Sequence, residues 1–133
     1  MLAGHQFRGS GRVLIMDDEE FLLDVGSDML KSIGFEVVKA RHGDEAIALV
    51  KESVLRGTPF RAAILDLTIP GGLGGQETVG PLAEIDPELR IIASSGYTDN
   101  PVMAEPGRYG FAGRLIKPYR KSELSKLMQT LFG

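Results

Sequence analysis

Residues 12–18 read RVLIMDD and residues 62–66 read AAILD, and these two stretches decide the fold. Each is a short, uninterrupted apolar run that ends in aspartate. Such a run is typical of a strand buried on both faces of a parallel sheet. Two further runs also end in polar residues, since 90–95 reads RIIASS and 113–118 reads GRLIKP. The sequence therefore predicts several parallel strands with polar chemistry at their carboxyl ends.

Helical patterns separate these strands along the chain. Gly34 ends the first of them, in which apolar residues recur at helical spacing: Leu22, Val25, Met29 and Ile33. The complete predicted order is strand 12–16, helix 20–33, strand 35–39, helix 43–56, strand 62–65, helix 76–84, strand 90–93, helix 99–105, strand 113–116 and helix 121–132. Strands that alternate with helices indicate the α/β class. We expect a flavodoxin-like, doubly wound (βα)5 domain with a parallel sheet in the order 2-1-3-4-5.

Composition excludes several classes of protein. The 133 residues include 43% hydrophobic and 25% charged residues, which suits one globular domain. Cysteine is absent from the sequence, which excludes disulfides, thiolate zinc sites and a cysteine nucleophile. The net charge of −3 argues against direct binding of nucleic acid. No apolar run approaches the ~18 residues of a membrane span, so we expect no membrane insertion and a cytoplasmic location.

The chain divides into a short leader and one domain. Residues 1–10, MLAGHQFRGS, lack the apolar stretch of a signal peptide. We interpret 1–10 as a linker or a cloning remnant and 11–133 as the folded domain.

The predicted topology brings three acidic residues together. In a parallel sheet, all carboxyl ends lie along one edge, and ligands bind where the strand order reverses. In the predicted order, strands one and three are neighbours at that reversal. Asp17 and Asp18 follow strand one and Asp66 follows strand three. We therefore expect the three carboxylates in one crevice, with Ser95 and Lys117 beside them.

This set of side chains points to phosphoryl transfer. Three close carboxylates repel one another, and a hard divalent cation such as Mg²⁺ relieves the repulsion. A lysine supplies a point charge for phosphate, and a hydroxyl can donate to a phosphate oxygen. A carboxylate can itself be the nucleophile and form an aspartyl phosphate.

The same residues carry a resemblance to a known family. The segments VLIMDDEE (13–20), AAILDLTIPGG (62–72), IIASSGY (91–97) and LIKPY (115–119) resemble the response-regulator receiver domain, the phosphoacceptor module of two-component signalling. They occur in the family's order, and the resemblance covers about residues 11–133. It implies that Asp66 accepts a phosphoryl group from the phosphohistidine of a histidine kinase or a histidine phosphotransfer domain. The isolated domain would then be no enzyme beyond its own phosphorylation and dephosphorylation.

The resemblance also implies roles for the neighbouring residues. Asp18 would bind Mg²⁺ directly and Asp17 mainly through water, while Asp66 and the backbone carbonyl of Thr68 would complete the metal site. Ser95 would donate to one phosphoryl oxygen and Lys117 would pair with another. Pro118 resembles the family's cis-proline, which would hold the lysine's loop in a fixed turn.

One position departs from the family. Receivers commonly carry tyrosine or phenylalanine three residues before the lysine, and here that residue is Arg114. Switching through an inward-moving aromatic ring is therefore in doubt, and we expect the arginine at the surface or against a partner or an acidic group. The resemblance makes the face of the fourth helix, fifth strand and fifth helix the switching surface and a candidate homodimer interface.

Three segments also resemble one particular group of receivers within that family. The segments DLTIPGGLGG, SSGYTDNPVM and YGFAGRLIKPYR resemble receivers attached to hybrid sensor histidine kinases. Because only Gly133 follows the last predicted helix, we expect either a receiver excised from such a kinase or a stand-alone relay receiver.

Three other functions remain open. A phosphohydrolase of the haloacid-dehalogenase type would want a second aspartate two residues after its nucleophile, where this chain has Thr68. A flavodoxin-like module would place a flavin phosphate against the acidic crevice. A receiver-like interaction domain that is never phosphorylated is the third. The glycine cluster 71–75 lacks the spacing of a phosphate-binding loop, and we interpret it as a flexible link.

Overall fold

The computed structural model describes residues 7–133. Its strands are β1 (Arg12–Met16), β2 (Glu36–Ala40), β3 (Ala62–Asp66), β4 (Arg90–Ser95) and β5 (Gly113–Ile116). Its helices are α1 (Glu20–Ile33), α2 (Gly43–Leu55), α3 (Gly75–Ile85), α4 (Pro101–Ala104) and α5 (Lys121–Phe132), and a 3₁₀ turn covers Pro106–Tyr109. Strand and helix alternate five times, as the sequence predicts.

The five strands form one parallel sheet in the order β2-β1-β3-β4-β5. The predicted flavodoxin-like topology is therefore confirmed. β1 and β3 lie side by side with Met16 paired to Leu65, so the residues that follow both strands meet at the same height of the sheet. This pairing positions the candidate site.

Alternate residues of β1 contribute to two separate cores. Val13 and Ile15 point to the face covered by α1 and α5, whereas Leu14 and Met16 point to the face covered by α2, α3 and α4. All four side chains are almost completely buried. Burial on both faces explains why the strand reads as a continuous apolar run rather than an alternating one.

The second strand begins one residue later than predicted. The pattern indicated residues 35–39, but β2 covers Glu36–Ala40. Gly34 ends α1 with a φ of 123°, and the N–H of Phe35 donates to the Leu30 carbonyl. The Phe35 backbone thus caps the helix instead of joining the sheet.

The fourth helix is shorter than the predicted 99–105. Asn100 caps it, since its side chain accepts from the N–H of Val102 at 2.9 Å, and Pro101 occupies the first helical position. At the other end, Pro106 disfavours helical geometry at Glu105, whose φ and ψ are −139° and 71°. Only Pro101–Ala104 remain α-helical, and the 3₁₀ turn follows.

Residues 7–10 pack against the domain. The ring of Phe7 lies 6.3 Å from that of Phe35, and the N–H of Gly9 donates to the Ile33 carbonyl at 2.9 Å. Residues 1–6 of the expected linker lie outside the described residues, and the boundary between residues 10 and 11 stays a prediction. Within residues 7–133, no helix has the length and apolar character to cross a bilayer.

Candidate phosphoacceptor and metal site

Three carboxylates meet at the carboxyl edge of the sheet. One carboxylate oxygen from each of Asp17, Asp18 and Asp66 lies within 4.8 Å of the other two. Asp17 and Asp66 are buried, with 6% and 5% of their surface exposed, whereas Asp18 is exposed. The predicted convergence of the three residues is therefore present in the structure.

Backbone hydrogen bonds hold the two buried aspartates at the strand ends. The N–H of Asp17 donates to the Ala40 carbonyl of β2, and the N–H of Leu67 donates to the Ser94 carbonyl of β4. Asp17 Oδ1 in turn accepts from the N–H of Glu19 at 2.9 Å, which turns the chain into α1. The acidic pair is thus fixed by the sheet and by the first turn after it.

Lys117 joins the two buried carboxylates. Its Nζ lies 3.0 Å from Asp17 Oδ2 and 3.1 Å from Asp66 Oδ2. The lysine follows β5, and its N–H donates to the Ser95 carbonyl at 2.9 Å. An ammonium in this position neutralises part of the charge that two buried carboxylates would otherwise share.

Burial and neighbouring charges shift the pKa values of Asp66 and Lys117. Burial raises the pKa of Asp66 above its ordinary value, although Lys117 partly opposes the increase. Burial alone would lower the pKa of Lys117, but hydrogen bonds and charges from Asp17 and Asp66 outweigh it, so this pKa is also raised. The lysine is therefore a cation at neutral pH.

A cleft of about 410 Å³ opens over these groups. Asp18, Asp66, Thr68, Ser95 and Lys117 all line it. Ser95 Oγ accepts from the N–H of Tyr97 at 3.0 Å, and the N–H of Thr68 makes a longer hydrogen bond of 3.3 Å to Asp66 Oδ1. Every residue predicted for phosphate or metal binding thus lies at this cleft or at its base.

The donor set fits magnesium. Carboxylate oxygens are hard ligands, and Mg²⁺ usually combines one or two carboxylates with water and phosphate oxygens. Asp18 is open to solvent, which leaves room for water, and the cleft leaves room for a phosphate. Asp17, Asp18 and Asp66 are the residues that would hold the ion.

The two predicted switch residues lie on either side of Lys117. The Lys117–Pro118 peptide bond is cis, as the resemblance implied. Arg114 is exposed on β5, but its guanidinium donates to the backbone carbonyl of Met103 in α4 rather than to an acidic group. The arginine therefore connects β5 to the end of the short fourth helix.

Sequence reasoning missed Tyr119. This residue packs against the core between α1 and α5 and, with Gly26, Asp17 and Lys117, lines a small cavity of about 50 Å³. The pKa of Tyr119 is raised to about 12, mainly by burial and to a lesser extent by the negative charge of Asp17, while the charge of Lys117 opposes the increase. The sequence feature that could have pointed to Tyr119 was its position directly after Lys117 and Pro118, two residues already assigned to the site.

Close packing explains why no side chain fits at two of the glycines after β3, Gly74 and Gly75. A Cβ at Gly74 would lie 2.2 Å from the Leu67 carbonyl oxygen, and one at Gly75 would lie 3.0 Å from the Leu65 Cβ. The N–H of Gly43 at the start of α2 also donates to the Leu73 carbonyl. The end of the glycine cluster is thus packed against β3, whereas Gly71, with a φ of 76°, meets nothing within 4 Å, and the expected flexibility of the link stays a prediction.

Known proteins resemble this chain over most of its length. The chain is 29% identical over 114 residues to the chemotaxis protein CheY of Thermotoga maritima, which covers 85% of this chain and 90% of that protein. It is 31% identical over 107 residues to a response regulator receiver protein of Anaeromyxobacter sp., covering 80% of this chain but 42% of that protein. The chain thus spans nearly all of one relative and less than half of the other.

Solved structures agree on the fold. The structure superimposes on a chain from the CheX-CheY-BeF3-Mg complex of Borrelia burgdorferi with a TM-score of 0.82. The match covers 92% of this chain and 90% of that one at 22% identity. The family model described as the response regulator receiver domain matches residues 13–129, which reach from β1 into α5. On this match, the chain belongs to the response regulator receiver domain family.

Proposed function

We propose that this domain accepts a phosphoryl group on Asp66 from the phosphohistidine of a histidine kinase or a histidine phosphotransfer domain. The observation that carries the proposal is the Lys117 ammonium, which lies about equally far from Asp17 and Asp66 beneath an open cleft. That arrangement supplies a nucleophile, a cation for the phosphoryl oxygens and an acidic metal site in one place.

The transfer is a displacement at phosphorus. An Asp66 carboxylate oxygen forms the new P–O bond while the P–N bond to the donor imidazole breaks, and the imidazole leaves with the electron pair of that bond. Lys117 pairs with one phosphoryl oxygen, and the Ser95 hydroxyl donates to another after turning from its contact with Tyr97. Asp17, Asp18 and Asp66 would hold Mg²⁺, which would supply further neutralisation of the charge on the phosphoryl oxygens.

Ser95 and Lys117 also provide a route from the site to the outer face. Ser95 ends β4, and the chain after it leads to α4, while Lys117 ends β5. Movement of either residue toward a phosphoryl group would bias the face of α4, β5 and α5. Ile116 of β5 is exposed there, and so is Tyr109 of the 3₁₀ turn between α4 and β5. This face is our proposed surface for a downstream partner or for a second copy of the chain.

Uptake of a labelled phosphoryl group tests the proposal. The wild-type chain, given labelled acetyl phosphate and Mg²⁺, should gain acid-stable, base-labile label typical of an acyl phosphate. Asp66→Asn should gain none. Asp28→Asn makes the same chemical change at an exposed position of α1 and should behave as wild type.

Three other results would argue against this function. Equal label in Asp66→Asn and wild type would place the acceptor elsewhere. No label in any variant would favour an interaction domain that is never phosphorylated. Steady turnover of phosphate esters would favour a phosphohydrolase, although the exposed Thr68 supplies no acid group for it.

A further inference from the structure

Gly26 leaves a gap in the middle of α1 that the side chains of Ile15 and Tyr119 occupy. Glycine inside a helix is less stabilising than alanine, so its presence there calls for a local reason. A Cβ at this position would lie 2.6 Å from Ile15 Cδ1 and 3.0 Å from the Tyr119 hydroxyl oxygen. Tyr119 therefore rests against the backbone of α1 at the one helical position where no side chain separates them.

Tyr119 ties the segment between β5 and α5 to α1. That segment begins at Lys117, whose backbone is held on the β4 side by its hydrogen bond to Ser95. On the other side, the Tyr119 ring packs into the core shared by α1 and α5. The backbone on which the lysine side chain depends is thus held between a strand and a helix.

The contact lies next to the reactive groups without being part of them. Gly26 and Tyr119 line the small cavity that also touches Asp17 and Lys117, whereas the cleft over Asp66 is lined by neither. Asp17 lines the same cavity, but its backbone N–H is bound to the Ala40 carbonyl of β2, whereas Lys117 stands two residues before Tyr119 in one segment. A shift of Tyr119 would therefore move Lys117 more than the aspartates at the ends of β1 and β3.

We propose that Tyr119, seated against Gly26, is a positioning residue that fixes the Lys117 ammonium for phosphoryl transfer. The inference rests on the proposed phosphorylation of Asp66 and goes beyond it. Lys117 supplies the positive charge, and the packing of Tyr119 against Gly26 determines the position of its ammonium group.

The first test adds one methyl group. Gly26→Ala should push the Tyr119 hydroxyl away and slow phosphorylation at saturating acetyl phosphate by about tenfold, since small displacements of a catalytic group have effects of this size or larger. Its affinity for Mg²⁺ should stay within about threefold of wild type, a split that general loss of structure would not give. Gly80→Ala is the matched control, because a Cβ at that position of α3 meets nothing within 4 Å.

Two double variants separate the contacts that the methyl group disturbs. Tyr119→Phe removes the oxygen that the methyl group displaces, so Gly26→Ala with Tyr119→Phe should recover most of the lost rate. Ile15→Val removes the other contact, so Gly26→Ala with Ile15→Val should recover melting temperature but not rate. Recovery of rate by Ile15→Val alone, or an unchanged rate in Gly26→Ala, would overturn the proposal.

The melting temperatures of wild type, Gly26→Ala, Tyr119→Phe and the variant with both changes test the positioning role separately from the proposed function. Coupling between residues 26 and 119 measures their contact whether or not any variant is phosphorylated. Absence of label in wild type with strong coupling would refute the phosphoacceptor function and leave the contact established. Normal label in wild type with no coupling would refute the positioning role alone.

Discussion

The Lys117 ammonium lies 3.1 Å from a carboxylate oxygen of Asp66, although the two residues are 51 positions apart in sequence. The contact exists because β3 and β5 both end at the edge of the sheet where β1 ends. It keeps a buried nucleophile partly neutralised before any phosphate arrives.

Removal of the ammonium should separate metal binding from phosphorylation. In Lys117→Ala, the carboxylates of Asp17 and Asp66 lose their cation, so we expect Mg²⁺ to bind several-fold more tightly. Phosphorylation by acetyl phosphate should nevertheless slow by about 100-fold, because the phosphoryl oxygens lose a charged partner. Calorimetric titration and label uptake measure the two effects, with the exposed Lys126→Ala as control. Parallel loss of both would show that Lys117 is only structural.

Neutralising the acceptor should stabilise the metal-free domain. Burial raises the pKa of Asp66 in the folded state, so the ionised carboxylate opposes folding. As pH rises from the ordinary carboxyl value of 3.8 through the folded-state pKa, wild type should lose stability relative to Asp66→Asn. At pH 7, Asp66→Asn should be more stable by on the order of 1 kcal/mol.

Urea unfolding with EDTA present measures this difference. Added Mg²⁺ should reduce it, because the ion binds the wild-type site better and stabilises its folded state. A variant less stable than wild type at pH 7 would contradict the direction of the pKa shift.

The exposed aspartate should matter to the metal and little to the fold. Asp18→Asn removes one carboxylate of the cluster, and we expect affinity for Mg²⁺ to fall by at least about tenfold. Its free energy of unfolding without metal should change by less than about 0.5 kcal/mol, since Asp18 is exposed. Titration of the Asp28→Asn control should match wild type. An unchanged affinity in Asp18→Asn would remove this residue from the metal site.

Arg114 should stabilise the fourth helix. Its guanidinium caps the Met103 carbonyl, and Arg114→Ala leaves that carbonyl without this donor. We expect faster hydrogen exchange at the amides of Met103 and Ala104, both of which donate to the Asn100 carbonyl. Exchange within α2 should be unchanged and serves as the internal control. Equal exchange at residues 103 and 104 in both proteins would mean that the contact does not hold the helix.

The sequence was sufficient for the topology and for the convergence of Asp17, Asp18 and Asp66. Continuous apolar runs that end in Asp17 and Asp66 predict buried parallel strands, and the strand order then brings these carboxylates together. Helix boundaries were harder to predict where local signals decided them. The predicted fourth helix, 99–105, ran past the cap at Asn100 and up to the residue before Pro106, whereas only Pro101–Ala104 are α-helical.

Contacts across the fold account for what the sequence did not show. The predicted setting of Arg114 did not include a carbonyl of α4 as its partner, since that contact depends on how far the shortened helix reaches. The contact of Tyr119 with the bare backbone of Gly26 joins residues 93 positions apart, and no sequence pattern indicated it. Both are pairs of residues from different elements, and periodicity within one element carries no information about them.

Identification of the residue that carries the phosphoryl group directly tests the proposal that Asp66 is the acceptor. The chain is phosphorylated with acetyl phosphate and Mg²⁺ and reduced with labelled borohydride, which converts an acyl phosphate into a stable alcohol, and the labelled peptide is sequenced by mass spectrometry. We expect label at residue 66 alone and none when EDTA replaces Mg²⁺. Label at another carboxylate, or equal label without the metal, would rule out Asp66 as the Mg²⁺-dependent acceptor.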